Sequence, residues 1–60
     1  MPFEAILSEV AKLHGVSTRL EGLAEEHPVV SDALITIAGS VHNTATVLAV
    51  LVATQSSELI

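Results

Sequence analysis

The sequence predicts an all-α fold: an antiparallel helical hairpin of two long helices, with a turn near Pro28, that self-associates into a four-helix or larger bundle. Apolar residues recur at three- and four-residue steps in both halves of the chain, which is typical of amphipathic helices. A His-Pro step separates the two halves. The 60-residue chain has no cysteine for disulfides, and a domain of this size buries only about 60% of its unfolded surface. Self-association is therefore the expected source of additional buried surface.

The chain shows no linker, repeat or low-complexity run, so residues 1–60 are interpreted as a single helical hairpin. We expect one helix over about 2–26, a turn over 27–30, a second helix over about 31–55, and a frayed C-terminus. The N-terminus lacks the basic region and apolar stretch of a signal peptide.

The first helix is predicted by a seam of residues at three- and four-residue steps. Its members are Phe3, Ile6, Val10, Leu13, Ser17, Leu20 and Ala24. Pro2 suits a first helical turn, where its missing N–H costs nothing. An alternative is a break at Gly15, with a restart at a capping box over Thr18–Glu21. A continuous helix is favoured, because the seam passes Gly15 without a phase change and a mid-helix glycine costs only about 1 kcal/mol.

His27 should end the first helix, because a residue before proline is displaced from the helical region. Ser31 is the expected N-cap of the second helix, with Asp32 near its positive end. The predicted seam of this helix is Leu34, Ile37, Val41, Ala45, Leu48 and Val52.

Many β-branched residues in the second half also raise a β-hairpin alternative, with strands Ala33–Ala38 and Thr44–Thr54. Adjacent apolar residues break the two-residue alternation in both segments, and an isolated hairpin is marginally stable. The helical interpretation is therefore preferred.

The segment 47–53 is apolar on every side, and a two-helix hairpin cannot cover all of it. We expect a second copy of the chain to do so, as a homodimer or a higher homo-oligomer. An unidentified protein partner is the alternative occupant. The predicted oligomer interface consists of Val41, Ala45, Leu48, Ala49, Leu51 and Val52.

Composition narrows the classes of function. The net charge of −5, with two basic residues, argues against nucleic acid as a partner.

A single-pass membrane peptide spanning about residues 33–53 is the second hypothesis. It is less favoured, because His42 and Asn43 would lie in mid-bilayer and no Trp, Tyr, Lys or Arg flanks the span. The expected location is the cytoplasm.

The histidines raise a third hypothesis, a metal or haem binder. His14 and His42 are equally distant in sequence from Pro28, so an antiparallel hairpin places them level, and a dimer could bring four imidazoles together. The pair remains a weak candidate for a metal site, because no acidic residue neighbours either histidine and no His–x₃–His pair is present. No cofactor and no metal are expected.

A group of polar residues interrupts the otherwise apolar second helix and is interpreted as a buried layer that fixes register, with a small binding cavity as the alternative. The group comprises Ser40, His42, Asn43, Thr44 and Thr46. The sequence contains no nucleophile–base pair, phosphate-binding glycine loop or di-metal carboxylate motif. The chain is therefore predicted to be an acidic interaction module rather than an enzyme.

Overall fold

A computed structural model describes the backbone of residues 2–58 and the side chains of residues 2–55. Helix α1 covers Phe3–Glu26, a 3₁₀ turn covers Pro28–Val30, and helix α2 covers Ser31–Glu58. The all-α hairpin and its turn at Pro28 are confirmed. Helix α2 continues past the predicted end at residue 55, and any fraying at residues 59–60 lies outside the described residues.

Helix α1 is uninterrupted, as the seam predicted. The N–H of Ile6 donates to the carbonyl of Pro2, which closes the first turn. The hydroxyl of Thr18 donates to the carbonyl of His14, one turn earlier in the same helix. Thr18 is therefore an interior residue of a continuous helix and not the N-cap of a second helix. The alternative break at Gly15 is therefore wrong.

The turn is built around the His-Pro step. His27 leaves the helical region, with φ −129° and ψ 78°, while its N–H still donates to the carbonyl of Leu23. Pro28 begins the 3₁₀ turn, which is closed by the N–H of Val30 donating to the carbonyl of His27. Ser31 has α-helical angles, φ −55° and ψ −50°. The prediction that Ser31 caps α2 is therefore wrong, because the 3₁₀ turn leads directly into the α-helix.

The two helices meet along a seam with a seven-residue repeat. The buried residues are Val10, Ser17 and Ala24 on α1 and Ala38, Ala45 and Val52 on α2. We assign them to heptad position a. Half-buried residues occupy position d: Ile6, Leu13 and Leu20 on α1 and Leu34, Val41 and Leu48 on α2. This is the side-chain pattern of a two-stranded antiparallel coiled coil.

The prediction that Ile37 belongs to the α2 seam is wrong. Ile37 is 52% exposed, and its neighbour Ala38 is 1% exposed. The hydroxyl of Ser17 donates to the carbonyl of Ala38 at 2.9 Å. Such a contact brings the α2 backbone against α1, so a small side chain is required at this level and isoleucine is directed outwards.

The hairpin is a single layer of two helices. Its principal extents are 49 × 15 × 10 Å, and none of its large described side chains is fully buried. The accessible surface is 4306 Å², whereas a compact monomer of this mass exposes about 3,700 Å².

Candidate functional site

The seam divides the hairpin into two open edges. Residues at heptad position e of both helices lie along one edge, and residues at position g lie along the other. We call the first the histidine edge, comprising Leu7, His14 and Glu21 on α1 and Ile35, His42 and Ala49 on α2. We call the second the apolar edge, comprising Glu9, Val16 and Leu23 on α1 and Ile37, Thr44 and Leu51 on α2.

The histidine edge brings two imidazoles together. The ring centroids of His14 and His42 are 5.0 Å apart, with an interplanar angle of 60°. The prediction that these residues lie level across the hairpin is confirmed, and it fixes the register of α1 against α2. His14 is half-buried and His42 is exposed, so the pair is open to solvent.

The predicted polar layer is not buried within the hairpin. Ser40, His42, Asn43, Thr44 and Thr46 are all exposed. The hydroxyls of Thr44 and Thr46 donate to the carbonyls of Ser40 and His42, one turn earlier on α2. Thr44 and Thr46 therefore satisfy their hydroxyl groups locally, which a sequence pattern does not distinguish from bonding across a core.

Charge is distributed unequally between the two edges. Four acids and no base lie at positions e and b, on the side of the histidine edge: Glu4, Glu21, Glu25 and Asp32. Three acids and two bases lie at positions g and c, on the side of the apolar edge: Glu9, Glu26, Glu58, Lys12 and Arg19, of which the side chain of Glu58 lies outside the described residues. Lys12 Nζ lies 3.2 Å from the carboxylate of Glu9. Acids and bases therefore nearly balance at the apolar edge, whereas the histidine edge is acidic.

The apolar edge carries large exposed side chains. Leu23, Ile37 and Leu51 are each more than two-fifths exposed, and Val47, at the neighbouring position c, is 68% exposed. An open groove of about 500 Å³ runs along the α2 part of this edge. It is lined by Asn43, Thr44, Val47, Leu48 and Leu51.

The structure places the six predicted interface residues in three settings. Ala45 and Val52 are covered by α1 within one copy. Val41, Leu48 and Ala49 are half-buried, and Leu51 is exposed. Leu48 and Leu51 line the groove, so these two are open to a partner.

Sequence reasoning missed Val16, Leu23 and Ile37 as residues of the apolar edge, although it placed Val47 in the apolar segment 47–53 that the hairpin leaves uncovered. A signal for the three missed residues was present, because Val16 and Leu23 are separated by one heptad, as are Ile37 and Thr44. Helical spacing within one helix does not separate the seam from its flank, which is why Ile37 is predicted as a seam residue.

Among the described residues, no group of three or more His, Cys, Asp or Glu side chains could hold a metal ion. The segment Pro28–Gln55 is long and apolar enough to cross a membrane. Its most apolar 18-residue stretch has a mean hydropathy of 1.6, and 17% of that stretch is buried in the hairpin. Core helices of soluble proteins share this length and composition. Comparison with protein-family models, curated proteins and solved structures found no match to the chain.

Proposed function

We propose that the chain is a homodimeric assembly module whose apolar edges pair to form a four-helix bundle, with a structural role and no catalytic one. The observation that carries this proposal is the unequal charge of the two edges on a chain of net charge −5: three acids face two bases at the apolar edge, while the histidine edge has four acids and no base. Pairing through a two-fold axis brings identical surfaces together. A surface that pairs with itself must therefore carry little net charge.

Electrostatics favour the apolar edge over the histidine edge. At the histidine edge, two copies would bring together four acids from each chain with no base to offset them. At the apolar edge, each copy supplies three acids and two bases, so opposite charges are available at the rim of the interface. Two-fold pairing at this edge avoids the like-charge repulsion that the net charge otherwise imposes.

The surface area that pairing could bury matches that of a stable dimer. Two separate copies expose about 8,600 Å², while a compact particle of twice the mass exposes about 6,100 Å². Association could therefore bury up to about 2,500 Å², in the range of obligate homodimers. Exposed apolar residues at the groove would supply much of this area, led by Val47 and Leu51.

Two isoleucines provide a matched test. Ile37 lies on the apolar edge and is 52% exposed, and Ile35 lies on the histidine edge and is 54% exposed. Ile37→Glu should raise the dimer dissociation constant by at least tenfold, because the carboxylate would be buried without a partner. Ile35→Glu should leave the constant unchanged within threefold. Sedimentation equilibrium of both variants measures this difference.

A monomeric wild-type protein with full helicity at micromolar concentration would overturn the proposal. Equal weakening by Ile35→Glu and Ile37→Glu would show that the apolar edge is not the interface. A stable complex with a different protein, formed at this edge, would replace the homodimer with a heterologous module.

The hydropathy of α2 favours a second candidate, a membrane-embedded hairpin. In this arrangement lipid, rather than a second copy, covers Val47, Val50 and Leu51. Fractionation of cells expressing the untagged chain separates the two candidates. We expect the chain in the soluble cytoplasmic fraction, and recovery only in detergent-extracted membranes would support the membrane candidate instead.

A further inference from the structure

We propose that His14 and His42 form a two-imidazole site for a divalent transition-metal ion, of which Zn²⁺ is the representative, and that the ion links α1 to α2. The site lies on the edge opposite the proposed dimer interface, so it is independent of the dimer. Among the described residues, this is the one place where two imidazole side chains meet across the seam.

The separation of the rings fits a shared ion. Zinc–nitrogen bonds are about 2.0–2.1 Å long, which places a bound ring centroid about 3.2 Å from the metal. Two rings at a tetrahedral angle then have centroids about 5.2 Å apart. The observed distance between the centroids of His14 and His42 is 5.0 Å. An interplanar angle of 60° is compatible, because each ring can rotate about its bond to the metal.

The surroundings leave the ring nitrogens available. Among the described residues, neither imidazole has a side-chain hydrogen-bond partner, since the bonds at these two positions involve their backbone carbonyls. The exposed ring of His42 can rotate so that either nitrogen faces His14, and solvent reaches the pair directly.

The chemistry of the edge selects the class of ion. Imidazole favours zinc, copper and nickel over magnesium and calcium, which prefer oxygen ligands. The acids on this side of the hairpin raise the local concentration of any cation. With two protein ligands, water must complete the coordination shell, so the site should be exchangeable and far weaker than a structural four-ligand zinc site.

One consequence is stabilisation of the hairpin. An ion held by one residue of each helix binds the folded chain and not the unfolded one. The melting temperature should therefore rise with the logarithm of the free zinc concentration once the ion exceeds its dissociation constant.

The test titrates ZnCl₂ into the full chain at neutral pH, with MgCl₂ as the control salt. We expect one zinc per chain, and the ring-proton NMR signals of His14 and His42 should shift together while those of His27 shift at least tenfold less. His14→Gln and His42→Gln should each lower zinc affinity by at least tenfold. His27→Gln, at the exposed turn, should not change it.

Four outcomes would overturn the proposal. One is equal shifts at all three histidines; another is zinc affinity retained in His42→Gln; the third is magnesium stabilising the hairpin as strongly as zinc. An increase in particle mass on adding zinc, seen by sedimentation, would place the ion between copies and overturn the assignment to one hairpin. Far-UV circular dichroism of each variant without metal confirms that the helices remain formed. Because sedimentation without metal tests the dimer separately, failure of this site leaves the proposed function standing.

Discussion

The hydroxyl of Ser17 donates a 2.9 Å hydrogen bond to the main-chain carbonyl of Ala38, in the buried seam between the helices. Among the described residues it is the only hydrogen bond that joins α1 to α2. The carbonyl it reaches belongs to a helix interior, so the bond requires the two backbones to approach closely. Small side chains at Ala38 and Ala45 permit that approach.

Loss of this bond should destabilise the fold modestly. We expect Ser17→Ala to lower the free energy of unfolding by about 1 kcal/mol, the usual value of a buried neutral hydrogen bond. Thr18→Ala is the matched control, because its hydroxyl bonds within its own helix and is exposed. It should change stability by less than about 0.5 kcal/mol. Urea unfolding of both variants, at equal protein concentration, measures the difference.

Close packing at the seam should also limit side-chain size. Ala45 is 0% exposed, so Ala45→Leu would force α1 and α2 apart and should cost about 1–3 kcal/mol. Ala33→Leu introduces the same side chain at an exposed position of the same helix. It should be nearly neutral, because leucine and alanine both favour helix. Comparable losses in the two variants would contradict the packing of the seam.

Two glycines offer a route to higher stability. Gly22 and Gly39 lie inside helices, and a Cβ added at either would meet no atom within 4 Å. Gly22→Ala and Gly39→Ala should each stabilise the hairpin by about 0.5–1 kcal/mol, because alanine loses less backbone entropy on folding. The double variant should show the sum of the two gains in thermal unfolding. A loss of stability at either position would indicate that a partner packs against that glycine.

Association through the apolar edge should make stability depend on concentration. If folded chains pair, mass action raises the melting temperature as protein concentration rises. Leu51→Glu should remove most of that dependence, because Leu51 lines the groove. Circular dichroism melts over a hundredfold range of concentration test this. A melting temperature that stays constant for the wild-type chain would argue against the dimer.

The secondary structure was largely predictable because it depends on local features. The His-Pro step marks the turn, and equal distances from Pro28 bring His14 and His42 level. The choice between Ile37 and Ala38 was not predictable in the same way. Both fit the helical spacing, and hydrophobicity alone favours the larger residue. Close approach of α1 decides in favour of the smaller one, and that approach is a property of two helices together.

The candidate surfaces were predicted less well than the helices. Apolarity identified Leu48 and Leu51, which line the groove, but also Ala45 and Val52, which α1 covers. The covered residues occupy heptad position a, and the groove residues occupy positions d and g. The pattern of a single helix does not show which of these positions faces α1. The Thr44 and Thr46 hydroxyls bond within α2, so their polarity indicated a buried layer where the hairpin has an exposed surface.

A hairpin that is one layer of helices has no interior shielded on both faces. If the second layer comes from another copy, the groove is covered only after two folded copies have met. The amount of paired protein would then rise with roughly the square of chain concentration when the chain is scarce. Unpaired copies would display the groove lined by Val47 and Leu51, and such exposed apolar surface is what chaperones and proteases recognise. The cell would therefore retain this protein above a threshold of synthesis and remove it below.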